Sequence, residues 1–61
     1  MKKIVMKIAR TSKNFDEFCD RIYALDACII ISDLDFNIVE YYGDNNRWYS
    51  YDVSKYSKNW D

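Results

Sequence analysis

Histidine and proline are absent from this 61-residue chain, glycine occurs once and cysteine twice. Each absence removes a class of chemistry. Without histidine no imidazole can act as general base beside a serine or cysteine nucleophile. Cys19 and Cys28 are not spaced as a CxxC pair, so no zinc-ligand set is in view. The lone glycine, Gly43, cannot build a loop that cradles phosphate. No apolar run approaches the ~18 residues that span a bilayer. Lys7 and Arg10 interrupt the stretch behind Met1-Lys2-Lys3 before a secretory core could form. Two cysteines without such a signal fit a reducing cytoplasm and free thiols, with a Cys19–Cys28 disulfide the less favoured alternative. The residues therefore point to no enzyme, no cofactor and no metal.

What is present belongs to a folded protein. Hydrophobic residues make up 49% and aromatics 18% of the chain, more aromatic surface than a minimal core requires. A domain of this length buries only about 60% of its unfolded surface. Scaffolds so small commonly draw stability from disulfides, metals or a partner subunit. With the first two disfavoured, the aromatic surplus suggests an interface. The net charge of −1 hides a division. Lys2, Lys3, Lys7, Arg10 and Lys13 precede any acid, while the segment 14–44 carries eight acids against Arg21 alone. Such asymmetry marks either a binding end or an edge strand kept soluble by lysines, and the edge strand is the favoured reading.

Along the chain, Lys3 to Ala9 alternates, with Ile4, Met6 and Ile8 on one side, and period two predicts a half-buried strand. Asn14 is placed to cap a helix running to about Asp26, with acids in its first turn. Phe15, Phe18, Cys19, Ile22 and Leu25 share its apolar face, and Glu17 and Arg21 are spaced for an ion pair on the wet face. Cys28 to Ser32 is a short β-branched run suited to a buried strand. Cys19 and Cys28, both in apolar settings, read as buried structural thiols. Phe36–Tyr42 and Arg47–Val53 form the arms of a hairpin joined by a four-residue turn, 43–46. That turn pairs Tyr41 with Trp48 and Ile38 with Tyr51. Phe36, Ile38, Tyr51 and Val53 then face the core, and Val39, Tyr41 and Trp48 face away.

The order is β-α-β-β-β, an α+β two-layer sandwich with one helix on a four-stranded mixed sheet. Residues 1–53 make one domain, and 54–61 form a tail, frayed or docked on a partner through Tyr56 and Trp60. One helix covers one sheet face, so Val5, Val39, Tyr41 and Trp48 are left facing solvent.

Ile29 to Asp35 (IIISDLD) resembles the nucleophile motif of haloacid-dehalogenase-type phosphatases, in which an apolar strand delivers two aspartates two residues apart. The resemblance covers seven residues. It implies Asp33 as nucleophile and Asp35 as acid–base. The family's small hydroxylated residue is replaced by Asn37, and the stretch after Asp35 is too short for its lysine and magnesium carboxylates. Asp33 to Asn37 also opens like an EF-hand loop but has Ile38 where the turn glycine belongs. An Asp-rich turn accounts for both.

The residues expected to carry function are an interface of Val39, Tyr41, Arg47, Trp48 and Tyr49, types that dominate interface hot spots. The reading is a small interaction module acting as a homodimer through the helix-free sheet face. Size and composition are those of phage or mobile-element accessory proteins that inhibit a larger bacterial host protein in the cytoplasm. The alternative is a single-stranded nucleic-acid binder using Lys3, Lys7, Tyr41 and Trp48 on one sheet face.

Overall fold

The computed structural model describes residues 2–25, 27–43 and 45–61, with the backbone alone for Cys28. The helix expected to run to about Asp26 ends at Tyr23, and Asp26 itself, the turn residue Asp44 and the thiol of Cys28, with any Cys19–Cys28 bond, lie outside the described residues. The fold is α+β. Three helices, α1 (Lys2–Thr11), α2 (Phe15–Tyr23) and α3 (Ser54–Ser57), accompany three strands, β1 (Ala27–Ser32), β2 (Ile38–Gly43) and β3 (Trp48–Asp52). The strands form an antiparallel meander with β2 in the middle.

The largest departure from expectation is α1. Lys3 to Ala9 is a helix, not a strand, so among the described residues the sheet has three strands, all paired antiparallel. Its apolar residues fit both periods, because Ile4, Val5, Met6, Ile8 and Ala9 include an alternating set and a helical one. The helical set is the one used. Val5, Ile8 and Ala9 are buried, while Ile4 is exposed. Neighbouring chain closes the helix. The Ser12 hydroxyl donates to Ile8 O at 2.6 Å, and Thr11 Oγ1 donates to Lys7 O at 2.8 Å. The Ser12 bond serves one of the last four carbonyls of the helix, and the Thr11 bond is the local back-bond of a threonine to the carbonyl four residues before it. Arg21 of α2 donates to Thr11 Oγ1 at 2.8 Å, bringing a cation to the negative end of the α1 dipole. Arg21 thus serves the α1 terminus rather than the expected pair with Glu17.

Helix α2 follows its sequence signals. Asn14 is extended, and its side chain accepts the Glu17 N–H at 2.8 Å. Phe18 and Ile22 are fully buried, whereas Leu25 lies beyond the helix and is exposed. The core sits between the helices and one sheet face. It joins Val5, Ile8 and Ala9 of α1, Phe18 and Ile22 of α2, and Val39, Tyr41 and Val53.

The segment 54–61 contributes to that packing. Trp60 donates its indole N–H to Ala9 O at 3.0 Å, and its ring lies 5.2 Å from Phe18. Asp61 N–H donates to Lys13 O at 2.9 Å. The terminal residues therefore bridge α1 and α2.

Two turns set the strands. In the first, Asp33 accepts backbone N–H groups from Asn37 at 2.7 Å and Ile38 at 3.1 Å. Phe36 takes φ 59°, unusual for an aromatic residue. Its ring stacks on Phe15 at 4.8 Å, which holds the turn in that conformation. In the second, Gly43 N–H donates to Arg47 O and Asn46 N–H to Gly43 O. Asn46 carries the positive φ of 64° there, and Gly43 does not. A left-handed residue closing a short hairpin connection is common, and asparagine is among the few non-glycine residues that accept that conformation.

Candidate functional site

Gly43 belongs to β2 rather than to the turn, and this shifts the hairpin register by one residue. Tyr42 pairs with Trp48, Tyr41 with Tyr49, and Val39 with Tyr51. Because side chains alternate, the shift exchanges the expected faces of one strand relative to the other. Val39 and Tyr41, expected on the open face, have no exposed surface and lie in the core. Neither is available to a partner in the folded protein. Tyr49 shares their side, with its ring 5.1 Å from Tyr41 and 6.5 Å from Tyr51. Val5 is buried on α1. Arg47 is exposed at the end of the turn. Of the five residues expected at the interface, Trp48 alone stands on the open sheet face, and it is 53% exposed.

The registers identify the side chains that share that face. Ile29 pairs with Tyr42, which pairs with Trp48, so these three form a row across all three strands. The next row is Ile31, Glu40 and Ser50, and Ile38 and Asp52 pair beyond it. Ile29, Ile31, Ile38 and Trp48 are all exposed. Tyr42 is half-buried beneath Trp48, with ring centroids 5.3 Å apart, and its hydroxyl reaches Asn46 Oδ1 at 3.1 Å. Ile38 was expected in the core, and the register turns it outward. Sequence reasoning missed Ile29, Ile31, Ile38 and Tyr42. Counting Gly43 as strand and letting Asn46 take the left-handed position would have recovered Ile38 and Tyr42, whereas Ile29 and Ile31 follow from the separate pairing of β1 with β2.

The face is divided. Its apolar part follows β1 and crosses the sheet at the Tyr42–Trp48 end, while Glu40 and Asp52 are its acids. The Asp52 carboxyl is held below the usual carboxylate range by the Ser54 hydroxyl and the Ser54 N–H, so it remains charged at neutral pH. No lysine or arginine falls in these rows. Lys3 and Lys7 belong to α1 and line a concavity with Tyr56, so the expected platform of Lys3, Lys7, Tyr41 and Trp48 is not assembled on the sheet.

Strand β1 (ACIIIS) is an edge strand without charge or proline. On β2, the inward residues Val39, Tyr41 and Gly43 are buried, but Ile30 opposite Tyr41 is only half-buried. Natural edge strands usually carry lysine, proline or a bulge to block pairing with another chain. This one has an irregularity between Ala27 and Ile29 and no charged guard within the strand.

The other reactive candidates have structural occupations. Asp33 binds the amides of its own turn. Burial first, and then the charges of Asp16 and Asp20, push the half-buried Cys19 thiol up to about 11. A thiol held in that range is protonated and weakly nucleophilic at neutral pH. Among the described residues no three carboxylates or thiols converge as metal ligands, and no helix is long and apolar enough to cross a membrane. Comparison with protein-family models, curated proteins and solved structures finds no match.

Proposed function

We propose that the protein is a small interaction module whose working unit is a homodimer, formed by antiparallel pairing of β1 with β1 of a second copy. The observation that carries this reading is the uncharged isoleucine edge beside an apolar, helix-free face. Two-fold pairing there would continue the sheet to six strands and bring each copy's Ile29 and Ile31 beside those of the other. The acids favour edge-to-edge over face-to-face association. Strands lie ~4.8 Å apart, so two Glu40 side chains, each one strand in from the joined edge, stay about 14 Å apart and are largely screened. Stacking the faces would instead press Glu40 and Asp52 against a second acidic surface. The proposed role of the dimer, resting on size and composition, is to bind and inhibit a larger bacterial protein as a phage or mobile-element accessory.

Light scattering tests the assembly. The expected mass is about twice the 7.4 kDa of the chain. Ile29→Lys/Ile31→Lys is expected to return the monomer with an unchanged circular dichroism spectrum, because both side chains are already exposed. A wild type that stays monomeric as concentration rises contradicts the reading.

A further inference from the structure

A second surface, on the helix layer, has the opposite electrostatic character. Helix α1 contains Lys2, Lys3, Lys7 and Arg10 and no acid, and α3 against it contains Lys55, with Lys58 at its C-cap. The ten acidic residues lie outside α1 and α3, so this surface is locally basic in a chain whose net charge is −1. Between the helices is an open concavity of about 450 Å³, lined by Lys2, Lys3, Met6, Lys7, Arg10 and Tyr56. Lys3, Lys7 and Arg10 follow one another at helical spacings of four and three, a cationic row about 10 Å long at 1.5 Å rise per residue. Tyr56, half-buried, supplies an aromatic ring in the same groove.

We infer that this groove binds single-stranded nucleic acid, with the α1 cations along the phosphates and a base against Tyr56. Three features select that ligand. The cations form a row rather than converging on a point, which suits a chain of phosphates better than one oxyanion. An aromatic ring inside the cationic groove can stack an unpaired base, whereas a duplex keeps its bases stacked on one another. An anionic membrane is the other polyanionic surface, but helices that lie in membranes insert an apolar face. The apolar face of α1 is already committed to the core through Val5, Ile8 and Ala9. This inference is independent of the β1 dimer, because it uses the helix layer.

The test is fluorescence anisotropy of a labelled oligothymidylate with the full chain. Binding is expected at low salt, and engagement of four phosphates gives a slope of log K against log salt near −0.7 × 4. That is a loss of about 50-fold between 50 and 200 mM. Lys3→Glu/Lys7→Glu/Arg10→Glu is expected to abolish binding while leaving the circular dichroism spectrum and the solution mass unchanged, since all three side chains are exposed. Tyr56→Leu is expected to weaken binding at least about fivefold without changing the salt slope. No anisotropy change up to about 10⁻⁴ M protein at low salt overturns the inference. So does equal or tighter binding to duplex DNA, to polyglutamate or to phosphatidylserine vesicles.

Discussion

The two faces of the sheet are made from the same hairpin and have opposite surroundings. Inward, Tyr41, Tyr49 and Tyr51 pack in one group beneath the helices, with Tyr41 fully buried. Outward, Tyr42 and Trp48 pack on each other and on nothing else among the described aromatic rings. Both faces are rich in aromatic and β-branched residues, so composition alone does not distinguish core from surface here. Register does. One residue more or less in the second turn decides which tyrosine is core, and the turn is decided by Gly43 staying in β2 while Asn46 takes the left-handed conformation.

Substitutions at matched positions should separate the faces. The largest effect is expected for Tyr41→Ala. Truncating a buried aromatic costs about 3–5 kcal/mol, comparable with the whole stability of a small domain. Urea denaturation should show a largely unfolded chain, whereas Tyr42→Ala should keep a cooperative transition. Retained stability in Tyr41→Ala would mean that the faces had been assigned the wrong way round.

Smaller effects should follow at the turn and at the terminus. Asn46→Ala is expected to lose about 1 kcal/mol, since alanine lacks the local hydrogen bonding that lets asparagine adopt positive φ. Asn46→Gly should be neutral or stabilising, and thermal denaturation of the pair reads the difference. Trp60→Phe keeps a ring near Phe18 but removes the bond to Ala9 O, for a loss of about 1 kcal/mol. The smallest effect at neutral pH is that of Cys19, which emerges only in alkali. Its folded thiol sits near 11 against an ordinary 9.0, so folding favours the protonated form. The associated stability is fully present below pH 9 and is lost as pH rises from there through 11. Alkylation of Cys19 should correspondingly be slow at neutral pH and accelerate on unfolding, as mass spectrometry of the labelled peptide would show.

These contrasts indicate which features were legible in the chain. Helix α2 was, because Asn14 and the Phe18–Ile22 spacing agree on one structure. The β1–β2–β3 meander was also legible from its β-branched runs and turn residues. Helix α1 was not, since KKIVMKIART satisfies two periods and only burial of Val5 and Ala9 with exposure of Ile4 separates them. The hairpin faces were not, because glycine is the usual left-handed turn residue and here an asparagine takes that place. The helix-free apolar surface survives the correction, with Trp48 common to both versions. Its other residues change from Val39 and Tyr41 to Ile29, Ile31, Ile38 and Tyr42, and the isoleucines of β1 bring an open edge with them.

The sheet has two outer edges, and the proposed assembly uses one of them. Amide hydrogen exchange measured across a range of protein concentrations compares them within one molecule. The backbone amides of β1 that do not bond β2 should become progressively protected as concentration rises, while those on the outer side of β3 should exchange at a constant rate. Concentration-independent exchange along β1, or protection that grows on β3 instead, would contradict the β1 dimer.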